Sequence, residues 1–234
     1  MSIDLAKKTE VAKIILEKKN IFGEKAQVVV AEDISGSMLY DFSKGKVQEL
    51  IARILGIGMN MDDNKEIDVY AFNTNGYEVG NANENNIDGY VNEVFLKKVS
   101  IGGGTNYSPV MKKIVDKFGT QKSGLSKLFG KKKTASKIPT LVFFITDGDN
   151  FDKAETIKLI TETSNQPIFW QFIGIGNEQF NFLQKLDDLP NRFLDNADFF
   201  KVVDPTSATD EWFYDNILNE FPTWLSEAKS KGVL

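Results

Sequence analysis

Three stretches of the chain are apolar with little polar alternation: Val28 to Ala31 within the run Ala26–Asp33, TLVFFIT from Thr140 to Thr146, and IFWQFIGI from Ile168 to Ile175, where Gln171 is the one strongly polar residue. A strand with one solvated face alternates polar and apolar residues. A strand apolar throughout belongs in the middle of a parallel sheet covered by helices on both faces. Between these runs the period changes to that of a helix. Leu5 to Lys19 carries Val11, Ile14 and Ile15 among lysines, and Lys44 to Gly56 places Val47, Leu50, Ile51, Ile54 and Leu55 on one face, with Gly56 as the stop. Further helices are predicted over Ile87–Leu96, Pro109–Phe118 and Lys153–Thr163. Ile67–Phe72 reads as another strand, with Tyr77–Val79 pairing beside it across the Asn73–Gly76 turn, and Phe193–Val203 as a last one. A C-terminal helix over 209–231 starts at Thr209 or Asp210, and Pro222 should kink or split it. Strands alternating with helices predict an α/β fold, a doubly wound and mostly parallel sheet flanked by helices.

Composition narrows the chemistry. The 234 residues, 41% hydrophobic and 12% aromatic, are enough for one large core, so disorder is excluded for most of the chain. There is no cysteine and no histidine. That removes disulfides, thiol nucleophiles, Ser-His-Asp triads, Cys/His zinc sites and imidazole proton transfer. A net charge of −5 argues against nucleic acid as a partner, because nothing overall attracts phosphate. No apolar run reaches the roughly 20 residues a membrane-spanning helix needs, and Met1–Asn20 lacks the apolar stretch of a secretory signal. A cytoplasmic setting is the expectation. Any site must be built from oxygens, amides, Lys, Arg and aromatics.

The first strand runs into Asp33-Ile34-Ser35-Gly36-Ser37. A bare D-x-S-x-S arises by chance in roughly one chain of this length in twenty, so its position carries the argument. The motif sits at the carboxyl end of a core strand, where α/β sheets place ligands. Gly102-Gly103-Gly104-Thr105 opens a predicted helix, and Thr146-Asp147-Gly148 ends the strand TLVFFIT. Asp33, Ser35, Ser37, Thr105 and Asp147 should therefore converge from three loops. Two carboxylates and three hydroxyls make a hard, all-oxygen site suited to Mg²⁺ or Mn²⁺ rather than zinc. An ion with so few charged ligands stays electropositive and can accept a carboxylate from a partner. The bland alternative is a set of helix caps.

DISGS, GGGT and TDG, in this order and on these elements, resemble the metal-ion-dependent adhesion site (MIDAS) of a von Willebrand factor A (vWA) domain. The resemblance implies that the five residues above form the metal shell, some of them through water. GGGTNYSPVM, FFITDGDNFDKAET, PIFWQFIGIG, FLQKLDDLP, DNADFF and EFPTWLSEAKSKGVL are similar, more narrowly, to the vWA domain of TerF-like tellurium-resistance proteins. This narrower resemblance implies a bacterial stress-response or metal-toxicity setting, and a non-enzymatic module that binds a protein partner presenting Asp or Glu to the ion. Such proteins often carry a TerD-type domain ahead of this module, for which the residues before Ala26 are expected to leave no room. Glu32 stands where that family commonly has an apolar residue; it either adds a carboxylate near the proposed site or faces solvent, and the second is expected.

The expected organisation is an N-terminal helical extension, residues 1–25, followed by a single vWA domain over 26–234. Within it, Thr120 to Lys137 breaks the pattern with six lysines and two glycines. It reads as a solvated loop, with a contact to an acidic partner or phosphate as the alternative. Met38, Tyr40, Asn106, Tyr107 and Phe151 follow the metal loops and fill the core or form a partner-binding rim. Asp149 and Asp152 either tune the metal or bind a second one, or cap the helix starting near Lys153, which is the expectation; Asp62-Asp63-Asn64 is expected to form a turn rather than a calcium loop.

Two other functions compete. A metal-dependent phosphohydrolase could use Asp33, but the position two residues on, where haloacid-dehalogenase-type phosphatases carry an acid/base Asp, is Ser35, with no basic residue beside it. A scaffold with a vestigial metal site is the third.

Overall fold

The computed structural model describes residues 4–120 and 138–234; the lysine-rich segment 120–137 lies, apart from Thr120, outside them. In chain order the elements are α1 (Leu5–Lys18), β1 (Gln27–Asp33), a 3₁₀ turn (Gly36–Met38), α2 (Leu39–Ser43), α3 (Lys46–Met61), β2 (Ile67–Phe72) and β3 (Gly76–Ala82). A π-helical turn (Val91–Phe95) comes next and runs into α4 (Leu96–Lys98), then α5 (Ser108–Phe118) and β4 (Thr140–Thr146). The remainder is α6 (Lys153–Glu162), β5 (Ile168–Ile175), α7 (Asn181–Asp187), β6 (Ala197–Val202), α8 (Asp210–Ile217) and α9 (Phe221–Ser230).

The six strands form one sheet in the order β3-β2-β1-β4-β5-β6, parallel except for β3. Both faces are covered, which is why the central strands needed no polar alternation. Val28 and Val30 join the core shared with α1, α3, α8 and α9. Val29 and Ala31 join the core shared with α5, α6 and α7. β1 lies between β2 on one side and β4 on the other. The chain leaves β1 toward one edge and later returns to build toward the other, so the carboxyl ends of β1 and β4 flank the switch point where such sheets hold ligands.

Several predicted boundaries move for identifiable reasons. α3 does not stop at Gly56 but runs to Met61. A Cβ at Gly56 would meet the Tyr214 hydroxyl at 2.7 Å and the Lys8 backbone at 3.1 Å, and one at Gly58 would meet the Ile67 side chain at 2.5 Å. These glycines let α1, α8 and β2 press against α3; they do not end it. The helix predicted from Ile87 begins only at Val91, because Gly89 has φ +79°, outside helical geometry. β6 is confined to Ala197–Val202. Thr209 caps the C-terminal segment by accepting a hydrogen bond from the Trp212 N–H, and Pro222 sits in the first turn of α9, so the expected single helix is split in two. α7 was not predicted. Its apolar side carries only Phe182, Leu183 and Leu186, too short a pattern to register as a helical period.

Candidate metal centre

Asp33 is the last residue of β1 and is buried, and both its oxygens are bonded. Oδ1 accepts the Ser35 backbone N–H at 2.7 Å, and Oδ2 accepts the Thr146 hydroxyl at 2.6 Å. The first bond folds the chain back so that Ser35 and Ser37 face each other, their hydroxyl oxygens 3.1 Å apart. The Ser37 hydroxyl then donates to Asp147 Oδ1 at 2.8 Å. Two strand ends separated by more than a hundred residues are thus closed into one polar cluster.

The glycine loop is tied to the same spot through its backbone. Gly36 N–H donates to the Gly103 carbonyl at 3.2 Å and Gly102 N–H to the Ile34 carbonyl at 2.7 Å. Asn73, at the end of β2, reaches the Gly102 carbonyl with its side chain at 2.9 Å and accepts the Asn106 N–H on its own carbonyl at 2.8 Å. Thr105 is buried at the end of this loop, and its carbonyl accepts the Phe151 N–H at 3.0 Å. Sequence reasoning singled out neither Asn73 nor Thr146. Thr146 precedes Asp147 at a strand end and was legible there; nothing local marks Asn73, whose partners come from a loop 29 residues away.

Glu32 is the main correction. Expected in solvent, it is 0% exposed, and neither carboxylate oxygen has a partner among the described residues. β1 is covered on both faces, so no position near its end points to water. Burial, with Asp33, Asp41 and Asp147 nearby, pushes its carboxyl well above the ordinary range. Burial also raises Asp33 to about 6, against the lowering effect of its Thr146 and Ser35 bonds. Asp147 is raised for the same first reason, opposed by its Ser37 bond. Lys46 pairs with Asp41 and Lys153 with Asp149, and among the described residues no basic side chain forms an ion pair with Glu32, Asp33 or Asp147.

The five residues considered for a partner rim separate into two groups. Met38 and Tyr107 are fully buried and belong to the core. Tyr107 packs edge-on against Phe72 and Phe144 with ring centroids 5.6 and 4.8 Å away, and its hydroxyl donates to the Gly148 carbonyl at 2.7 Å. It therefore supports the Asp147 loop from below and cannot touch a partner. Tyr40 is 61% exposed and Phe151 83% exposed, while Asn106 is intermediate. Beside Ser37 and Asp147 opens a groove of about 650 Å³, whose wall includes Lys153, Glu178, Phe180 and Phe182.

The expected capping of α6 is also corrected. Asp152 occupies the capping position, but its carboxylate does not cap α6. It accepts the backbone N–H groups of Tyr107 and Ser108, at 2.9 and 2.8 Å, and so caps α5. Asp149 pairs with Lys153 instead.

Residues 25–234 match the vWA-TerF-like family model, described as the vWA domain found in the TerF C terminus. The chain belongs to this family. Over its whole length it is 36% identical to YcbR of Bacillus subtilis (strain 168), an uncharacterized protein, of which the match covers 90%. Among solved structures, the chain is similar to proximal thread matrix protein 1 from the mussel byssus, with a TM-score of 0.55 and 15% identity over 84% of this chain. It spans about half of that protein's length, 47%. It is also similar to the SpRpn10 VWA domain, with a TM-score of 0.52 and 12% identity, covering 84% of this chain and 95% of that one. At such identities the likeness shows the fold, a mostly parallel sheet flanked by helices. No helix among the described residues is long and apolar enough to cross a membrane.

The donor set of this vWA domain fits a divalent ion. Every donor is oxygen, the carboxylates come from two strand ends and the Ser35 and Ser37 hydroxyls lie between them, with Thr105 buried in the neighbouring glycine loop. Among the described residues no basic side chain pairs with Asp33 or Asp147.

Proposed function

We propose that this vWA domain is a metal-dependent interaction module. Asp33, Ser35, Ser37, Thr105 and Asp147 hold Mg²⁺ or Mn²⁺, and an Asp or Glu of a protein partner completes the shell. The observation that carries the reading is the chain of contacts from Asp33 through Ser35 and Ser37 to Asp147, where no basic side chain among the described residues pairs with either carboxylate. An electropositive ion balances them and leaves a face toward solvent. The groove beside Asp147 and the exposed Tyr40 and Phe151 are the surfaces a partner would cover. Binding rather than catalysis is favoured because the Ser35 hydroxyl lies against Ser37, with no base to activate it. Family membership supports a bacterial, cytoplasmic role in tellurium resistance or a related stress response.

The test is calorimetric titration of Mg²⁺ and Mn²⁺ into the metal-stripped full chain and into Asp33→Ala. One-site binding lost in the variant is expected, followed by partner capture that chelator abolishes. Because such an ion binds weakly until a carboxylate completes its shell, the titration is repeated with an Asp-containing peptide. No binding under either condition would leave the fold and remove the mechanism. Phosphatase activity abolished in Asp33→Asn would replace binding with catalysis.

A further inference from the structure

A second group of carboxylates lies at the opposite edge of the sheet. Asp33 ends its strand, whereas Asp198 is the second residue of the parallel strand β6. Asp187 closes α7 and Glu220 stands in the turn between α8 and α9. One carboxylate oxygen from each of the three lies within 4.8 Å of the other two. Acidic residues gather on many surfaces without meaning, but two features here are not surface features. Asp198 is 6% exposed and its Oδ2 has no partner. Gln171, its register partner on β5, is 0% exposed, and its amide carbonyl has no partner among the described residues. Neighbours in register on parallel strands point to the same face, so the amide is aimed at the same spot, close enough to act on the Asp198 carboxylate.

A buried amide whose carbonyl is unbonded costs free energy, as do clustered carboxylates short of counter-charge. Among the facing groups Arg192 is the cation acting on Glu220, and it supplies only part of that charge. Asp188 and Asp195 add negative charge, and Arg192 is engaged by Asp195 at 2.6 Å and by the Leu189 and Asp187 carbonyls. Burial and mutual repulsion raise the carboxyls of both Asp187 and Glu220 to about 7. A proton on Asp198 Oδ2 would bond the Gln171 carbonyl and relieve part of the repulsion, but it ties neither Asp187 nor Glu220 to the strand. A cation satisfies all four groups together. A groove of about 440 Å³ lined by Asp195, Glu220, Trp224 and Glu227 provides an acidic entry.

We propose that Asp187, Asp198 and Glu220, with the side-chain carbonyl of Gln171, form a second divalent-cation site that binds Ca²⁺ and ties the edge strand β6 to α7 and to the α8–α9 turn. Ca²⁺ is the preferred ion because it accepts several carboxylates and amide carbonyls at about 2.3–2.6 Å in flexible geometry. Mg²⁺ demands an octahedron at about 2.0–2.1 Å and keeps much of its water. The site is independent of the ion proposed at Asp33.

Its test uses the full chain carrying Asp33→Ala, so that the first site is disabled, titrated calorimetrically with Ca²⁺. One Ca²⁺ per chain is expected, with an affinity at least tenfold weaker when Asp198→Asn or Glu220→Gln is added, and with circular dichroism confirming that both variants fold. Tb³⁺ emission sensitised by tryptophan is a second readout, since Trp224 lines the same groove; it should appear in Asp33→Ala and fall in Asp33→Ala/Asp198→Asn. Failure of Asp33→Ala to bind Ca²⁺, or binding undiminished in both added variants, would overturn the proposal without touching the reading of the Asp33 site.

Discussion

The carboxylate of Asp152 accepts the backbone N–H of Ser108 at 2.8 Å, so the residue that precedes α6 caps α5, 44 positions earlier in the chain. A second bond to the Tyr107 N–H, at 2.9 Å, makes the contact bidentate. Asn150 donates to the same carboxylate at 2.7 Å. The glycine loop carrying Thr105 thus enters its helix already clamped to the loop that carries Asp147. In this way one capping residue sets the spacing between two of the proposed metal ligands.

Asp152→Ala should destabilise the fold by about 1–2 kcal/mol, the usual cost of a lost helix cap, and weaken metal binding although Asp152 is not itself a ligand. The effect depends on pH with a definite sign. Burial pushes the Asp152 carboxyl up, but the bonds from Ser108, Tyr107 and Asn150 outweigh it and hold it below its ordinary value of 3.8. Its stabilisation is therefore present above about pH 4 and lost as the pH falls through the lower folded value. Urea midpoints at pH 7 and pH 3 check this: the gap between wild type and Asp152→Ala should narrow in acid. An equal gap at both values would mean that the charge plays no part.

Glu32 offers a test of opposite sign. Its two oxygens are buried without partners. Replacing it by an apolar residue of similar volume removes their desolvation cost, about 1–3 kcal/mol. Glu32→Leu should therefore melt higher than wild type in chelator, by about 2–4 °C per kcal/mol for a chain of this size. A lower melting temperature would show that the carboxylate is satisfied in solution.

Tyr40 and Phe151 can be tested as the rim of the partner surface because little holds them in the fold. Lys44 and Lys46 lie over the Tyr40 ring at 5.5 and 5.2 Å, while Phe151 is almost wholly exposed. Tyr40→Ala and Phe151→Ala should change stability by no more than about 0.5 kcal/mol, as is usual at exposed positions. Partner affinity measured by surface plasmon resonance in Mg²⁺ should fall by tenfold or more if they anchor the contact. Unchanged affinity in both variants would move the contact to the groove beside Lys153 and Phe182.

Much of this protein was legible along the chain. Three mainly apolar runs read as strands buried on both faces, and they are β1, β4 and β5. Because parallel sheets collect their strand ends at one edge, the positions of Asp33 and Asp147 already implied convergence, and the Ser37–Asp147 hydrogen bond joins them. Periodicity reports only which side of an element faces inward. It carries no information on what lies opposite, which is where the expectations failed. Gly56 looked like a helix stop because its role, admitting Tyr214 and the Lys8 backbone, depends on elements distant in sequence. Tyr107 could equally have been core or rim until Phe72 and Phe144 were seen against it.

By itself, then, the sequence determined the element types, the class of sheet and the oxygen-only chemistry of the site, because these depend on local period and residue inventory. Tertiary structure alone decided that Glu32 is buried without a counter-charge, that Asp152 caps α5 rather than α6, and that Asp187, Asp198 and Glu220 meet around Gln171. Each of these depends on the distance between side chains from separate elements. That distance is set by how helices pack on the two faces of a twisted sheet, a property of the whole chain that no window of residues contains.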